Sequence, residues 1–379
     1  AEDGILDCVA SRVRGVVYKR QIITIPFVLA FLMGSLVAQG QNQYGGAKAG
    51  GMRNGTAGAS QLLIPQGASY LTGGGAVANA SGVGATFWNP AGVARMGSSV
   101  ETSFSNRSYI ADMSVLFAGA TMKFGNNAFG VNIRSIDIDE IPVTTVFSPD
   151  GTGEMFKPTN FTAGLTYSRM MSTKTSMGLS INSTSEGFKR VKGTAITIDA
   201  GVQYSDFLDV SGLDVGVAVR NFGRPMRYNG SGLLVDAIAI GSDRQVGTYK
   251  VEPAKFDVPM LMELGVSYKA GALSVGGTYE SNNFDQDKLK LMGAFSLPGL
   301  ATARVGMLSD LGEVNIQDNL GTTTVDESKA EIENIFAGVS FGGSVYLQRI
   351  LGINASIDYA YIPAKYFDGN TVLTLNVGF

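Results

Sequence analysis

The residues that could carry chemistry are few, and what is missing narrows the choice. The 379-residue chain has no histidine and one cysteine, Cys8. Ser-His-Asp triads, Cys-His pairs and His-ligated metal sites are excluded together, and so is an intrachain disulfide. The carboxylates Asp137 and Asp139 fall at the end of an alternating stretch, where they read as solvated loop charges. The glycine runs at 73–75 and 151–153 lack the strand–helix context and the lysine of a phosphate loop. No set of groups fills the roles of an active site, so the expectation is no enzyme, no metal and no cofactor. A net charge of −3 without a basic patch gives no footprint for nucleic acid.

What remains is a row of charges at alternate positions of apolar stretches. Ile196, Ile198, Ala200, Val202 and Tyr204 share one face; Thr197, Asp199, Gly201 and Gln203 share the other. Leu213, Val215, Val217 and Val219 oppose Asp214, Gly216, Ala218 and Arg220. The same two-residue period sets Glu263 and Lys269, Glu280, and Asp358 against Leu264 and Val266, Val275, and Ile357. No stretch downstream of the leader keeps a helical period. About fourteen such segments lie between residues 98 and 379. Each takes roughly twenty residues with its connection, and about ten per strand suits a tilted transmembrane β-strand.

The connections sort in the same way. Tight ones follow the second, fourth, eighth and tenth segments, near Gly125, Ser172, Lys269 and Leu297. Long ones span about 139–158, 222–257 and 309–331. Short turns at one end and long loops at the other mark an outer-membrane barrel. Aromatics near strand ends (Tyr204, Phe207, Tyr279, Phe284, Tyr359, Tyr361, Tyr366 and Phe367) suit interfacial girdles. Composition agrees: 16% charged residues, 50 glycines and a mean hydropathy of only +0.14. The expected fold is all-β, a transmembrane antiparallel barrel of about fourteen strands in outer-membrane lipid. Apolar faces then meet lipid. Asp199, Asp214, Arg220, Glu263, Lys269, Glu280, Lys290, Arg304 and Asp358 point into the lumen. Two readings of these charges stay open: mutual pairing that fills the barrel, or a polar-lined binding path.

The chain ends TVLTLNVGF, with Leu373, Leu375, Val377 and Phe379 on one face. Lipid satisfies no backbone hydrogen bond, so a membrane sheet must close and its last strand must pair with its first. Barrels of this class resemble one another in ending on an aromatic that assembly machinery reads, which marks Phe379 as an assembly signal.

Upstream, Lys19 and Arg20 precede an apolar run from Ile22 to Ala38, the layout of a secretory signal with cleavage after Ala38 or Gly40. A membrane-anchoring helix is the alternative. Residues 1–18 precede this leader and have no assigned role. The expected divisions are 1–40 for extension and leader, 41–61 for a flexible glycine-rich segment, 62–97 for an N-terminal hatch and 98–379 for the barrel. The 62–97 stretch is apolar, rich in small residues and too irregular to be a lipid-facing wall. It reads as a plug inside the lumen, or alternatively as a periplasmic extension. Pro90 biases Asn89 toward an extended turn, and Trp88, the only tryptophan, packs beside it.

The stretch IPQGASYLTGGGAVANASGVGATFWNPAGVARM, above all FWNPAG, resembles the N-terminal region of the PorV/PorQ family. FSPDGTGEMF, FTAGLTYSRMMSTKTSMGLSI and VAVRNFGRPMRYNGSGL resemble the same family in the same order. The resemblance runs from about Ile64 to the end of the chain. One departure stands out: family members often carry an acidic pair before WNPAG, and ANASGVGAT has none. The family is similar in fold to FadL, a fourteen-stranded barrel with an N-terminal hatch. The resemblance implies work in type IX secretion: binding the C-terminal signal domains of cargo proteins leaving translocon subunits, and passing them to surface attachment machinery. The FadL likeness implies the alternative, transport of a hydrophobic ligand across the outer membrane.

Overall fold

A computed structural model describes residues 55–71, 74–238, 246–311, 334–336 and 338–379. The leader with Cys8, residues 41–54 of the glycine-rich segment and residues 312–331 of the last long loop lie outside the described residues. Fourteen wall strands form one closed antiparallel sheet. They are β1 Val100–Ser108, β2 Ser114–Phe124, β3 Asn127–Asp137, β4 Thr159–Met170, β5 Thr175–Phe188, β6 Val191–Tyr204 and β7 Leu213–Gly223. The second half is β8 Leu261–Ala270, β9 Leu273–Asn282, β10 Asp287–Leu297, β11 Ala301–Leu311, β12 Gly338–Tyr346, β13 Ala355–Ile362 and β14 Asn370–Gly378.

Each strand pairs with its neighbour in sequence, and β14 returns to β1 with Leu375 opposite Phe104. Phe379 finishes the seam: its N–H donates to the Val100 carbonyl at 2.8 Å, and its own carbonyl accepts from Ser99 and Val100. Closure leaves no unpaired edge among lipid tails.

The alternation in sequence becomes inside and outside, inverted from a water-soluble protein. Leu165, Leu179, Ile196, Val275 and Leu373 are between 55% and 67% exposed on the outer face. Thr166, Ser180, Thr197, Thr278 and Thr374 are at most 3% exposed within the barrel. An apolar surface of this extent is stable only against lipid.

The first wall strand begins and the last one finishes at the end that carries the short connections, 125–126, 171–174, 271–272 and 298–300. This is the periplasmic end by the layout of outer-membrane barrels. The opposite end carries the long loops. One contains a two-stranded hairpin, Leu234–Ile238 with Val246–Lys250. In the same loop Met226–Asn229 pairs with β6 and extends the wall outward.

Phe124, Phe129 and Tyr167 form an aromatic group on the outer face at the periplasmic end, with the Phe129 and Tyr167 rings 5.3 Å apart. Tyr204 and Phe207 meet edge to face at 5.8 Å near the same rim. Phe284 departs from the girdle expectation. It is 2% exposed, because the connection after β9 folds inward and Asn282 accepts the Phe284 N–H.

Candidate functional site

The N-terminal segment lies inside the barrel as short turns. A 3-10 turn at Ser60–Leu63 is followed by α1 Ala68–Leu71, α2 Ala76–Asn79, α3 Gly82–Trp88 and a second 3-10 turn, Pro90–Arg95. Helices this short do not stand alone in water; the wall holds them. Packing begins earlier than residue 62. Ala59 and Leu62 are fully buried, and the Gly58 N–H donates to the Asp257 carbonyl at 3.0 Å.

Asn89 is the central fastener. It is extended, as the following proline requires, and its side-chain oxygen caps the Pro90 turn through the Ala91 N–H. Its Nδ2 donates to the Val77 carbonyl at 2.7 Å and reaches the wall carbonyls of Val202 and Val217 at 3.2 and 3.3 Å. Such an approach needs a wall without side chains. A Cβ on Gly201 would stand 1.9 Å from Asn89 Oδ1, and one on Gly216 would stand 2.2 Å from the Val77 carbonyl oxygen. Gln203 completes the seat by donating to the carbonyls of Val77 and Ala80.

Arg95 is the second fastener, and the sequence reading missed it. It donates to Ser176 Oγ and the Lys174 carbonyl at 2.6 Å, to the Gln203 carbonyl at 3.0 Å and to Ser205 Oγ. The available signal was its isolation, since it is the only charge between residues 62 and 97.

Trp88 is 2% exposed, meets Phe87 edge to face at 5.2 Å and donates its indole N–H to the Gln66 carbonyl at 2.9 Å. Cations surround this aromatic pair. Arg220 stands 4.6 Å and Arg134 5.2 Å from the Phe87 ring, and Lys290 stands 5.4 Å from Trp88. Cations over ring faces are stabilised by the ring quadrupole.

The structure places the charges named from sequence as follows. Glu263 is fully buried and accepts from Arg220 Nε at 2.7 Å and Lys290 Nζ at 3.2 Å; Lys290 also pairs with Glu280. Asp199 accepts from Asn182 Nδ2 and the Asn221 N–H, both at 2.6 Å. A β-bulge causes that second contact. Register slips between Ile198 and Ala200, and Arg220 and Asn221 both turn inward. Asp214 sits near the periplasmic end and accepts from the Asp206 N–H at 3.3 Å. Arg304 donates to Ser344 Oγ at 2.6 Å. Asp358 accepts from Asn376 Nδ2 at 2.6 Å and from the hatch through Ser69 Oγ. Lys269 stands exposed at the periplasmic rim. The structure thus gathers Arg220, Glu263, Glu280 and Lys290 into one cluster, with Asp199 at the adjoining bulge, and keeps Asp214, Arg304 and Asp358 apart from it. Arg107 and Arg134 also lie buried inside the wall; their alternation in β1 and β3 was the signal.

Two chambers flank the hatch. The outer one, about 900 Å³, is lined by Ile64, Pro65, Leu71, Phe87 and Trp88 of the hatch. Tyr109, Ile136, Phe336 and Ile362 face it from the wall and loops. The inner one, about 660 Å³, is polar and includes Ser69, Tyr70, Arg304, Ser344, Asp358 and Asn376. Helix α1 divides them: Leu71 faces outward, Ser69 and Tyr70 inward. Burial pushes the Tyr70 phenol pKa up, keeping it neutral where it accepts the Ser81 N–H.

No protein-family model and no curated protein matches the sequence. Among solved structures the chain is similar to the CymD monoaromatic hydrocarbon channel. The identity is 11%, the match covers 80% of this chain and 94% of that one, and the TM-score is 0.52. It is also similar to the Pseudomonas putida toluene transporter TodX, at 10% identity over 79% of this chain and 94% of that one, TM-score 0.51. A TodX deltaS2S3 mutant matches at 11% over 84% and 100%, TM-score 0.52. At these identities the likeness establishes the fold alone, a closed fourteen-stranded antiparallel barrel with a plug in its lumen; the lipid-facing outer surface and the sorting of short turns and long loops are those of the bacterial outer membrane.

Proposed function

We infer that this barrel binds hydrophobic small molecules at its outer end and passes them across the outer membrane. The outer chamber carries the reading. It opens among the long loops, has room for a molecule of drug-like size, and combines apolar and aromatic walls with charged groups held in fixed pairs such as Glu280 with Lys290 and Asp285 with Lys288. The similar folds are described as monoaromatic hydrocarbon channels and a toluene transporter, and that substrate class suits an aromatic-floored chamber. The test is accumulation of a fluorescent hydrophobic probe by cells with and without the barrel. Faster accumulation is expected with it, and faster still when Arg95→Ala loosens the hatch. Equal rates in all three strains would count against passage.

A second reading, a type IX secretion component of PorV/PorQ type, has one observation in its favour. The loop that carries FSPDGTGEMF exposes Val146 at 93% and Phe147 at 96%, beyond the lipid belt, where a protein partner would cover them. Purified cargo signal domains should then bind the barrel and lose affinity on Phe147→Ser. No binding to either form removes this reading.

A further inference from the structure

The outer face above the lipid belt is not evenly charged. On β6, Ile196 and Ile198 face outward, and Phe222 stands opposite Ile198. Two-residue steps from Ile196 toward the outer end place Thr194 and then Lys192 on the same face. Residues directly opposite one another on paired strands also share a face. Arg227 stands opposite Thr194, Asn229 opposite Lys192, and Lys255 opposite Arg227. One row therefore runs Ser185, Thr194, Arg227, Lys255, and the row above it carries Lys192 and Asn229. Lys250 joins the upper row, its Nζ donating to Asn229 Oδ1 at 2.7 Å. Lys192, Arg227, Lys250 and Lys255 are all exposed. Among the described ion pairs, only Arg227 of these four meets a carboxylate, Glu252 at 2.8 Å. The cations are scattered over residues 192–255 in sequence, and only the sheet gathers them. The rim after β3 has the opposite sign: Asp137, Asp139 and Glu140 are exposed there, with Lys157 on Asp137.

We propose that this basic rim docks a phosphorylated glycolipid of the outer leaflet, with acyl chains against Ile196, Ile198 and Phe222 and phosphates among Lys192, Arg227 and Lys255. Height supports that occupant. Tyr204, near the periplasmic rim, lies ten residues from Thr194 along β6. At about 3.3 Å per residue and a tilt of about 40° this is about 25 Å, the height of the apolar band. The lower row thus stands where acyl chains give way to head groups, with Lys192 about 5 Å above it. Continuity supports it too. Ile196, 63% exposed, continues the same face directly below the cations, so one ligand must offer both an apolar body and an anionic head. Phosphate accepts from the arginine fork and from lysine as a point charge. Three adjacent strands spread the cations over about 10 Å, room for a head with more than one phosphate. The site lies outside the wall, apart from both chambers, and stands whatever the lumen carries.

The full barrel in a neutral detergent is titrated with lipid A carrying two, one or no phosphates. Lysine acetylation is mapped by mass spectrometry with and without the lipid. Affinity should fall about tenfold with each phosphate removed, the loss of a charge-assisted contact. Lys192 and Lys255 should be protected, while Lys269 at the periplasmic rim reacts as before. Lys192→Gln/Arg227→Gln/Lys255→Gln should bind the two-phosphate form about a hundredfold more weakly, at about fivefold per cation facing an anionic lipid surface. Its binding of the phosphate-free form should be unchanged. Heat-modified migration on a gel confirms that the variant is folded. Equal affinity for the three lipids, or unchanged affinity in the triple variant, overturns the proposal. So does protection by inorganic phosphate as complete as that by the lipid, which assigns the rim to a free anion.

Discussion

Glu263 gives the sharpest test of how the lumen is held together. Its carboxylate is fully buried between Arg220 Nε at 2.7 Å and Lys290 Nζ at 3.2 Å. Glu263→Ala removes one anion from two cations. Lys290 keeps Glu280, so the loss falls mainly on Arg220, left with the Phe87 carbonyl at 3.3 Å and the aromatic faces. Stranding one buried charge costs about 3–5 kcal/mol. At the lower figure the ratio of folded to unfolded protein changes by roughly a hundredfold. Urea unfolding in detergent, read by Trp88 emission, measures it. Because Arg220 stands 5.7 Å from the Trp88 ring, the folded-state spectrum should shift as well. The double variant Arg220→Met/Glu263→Met removes both charges and should recover to within about 1–2 kcal/mol of the parent, since a buried pair is roughly replaceable by apolar groups. A loss below about 1 kcal/mol in Glu263→Ala, or a double variant as unstable as the single, refutes the reasoning.

Other outcomes follow from the hatch and the seam. Gly201→Ala drives a methyl into Asn89 Oδ1 and should cost about 1–3 kcal/mol by overpacking, with raised single-channel conductance in planar bilayers as the hatch shifts. Arg95→Ala removes the donor of four hydrogen bonds and should increase ion leak in the same bilayer assay, while wall strands stay unchanged by circular dichroism. Trp88→Phe keeps the ring but loses the bond to Gln66, a loss of about 0.5–1.5 kcal/mol in thermal unfolding. Deleting Phe379 removes the last rung against Ser99 and Val100 and should lower the heat-modifiable, assembled fraction recovered from membranes.

The wall was legible in sequence because lipid outside and polar groups inside impose a two-residue period that local pattern records directly. Asp199, Glu263 and Asp358 could be placed by parity alone for the same reason. The hatch was legible only as a departure from that period. Helices of four to seven residues leave no periodic trace, and their shape is set by distant wall carbonyls such as Val202 and Val217. The glycines facing that plug, Gly201 and Gly216, stood on the polar face of their strands and in hindsight marked a track where another backbone must approach. Arg107 could be placed inside by alternation, but that no carboxylate among the described residues pairs with it is a three-dimensional fact. So is the bulge at Asn221, whose positive φ of 61° no pattern of residue types announced.

The central claim is that the outer chamber holds a hydrophobic small molecule. Native mass spectrometry of the barrel, extracted gently from its own outer membrane, tests it most directly. The account predicts a barrel carrying a small apolar adduct that is displaced by an excess of an added hydrophobic probe. A barrel that arrives bound to a secreted protein or a translocon subunit, with no small molecule in any charge state, would contradict it.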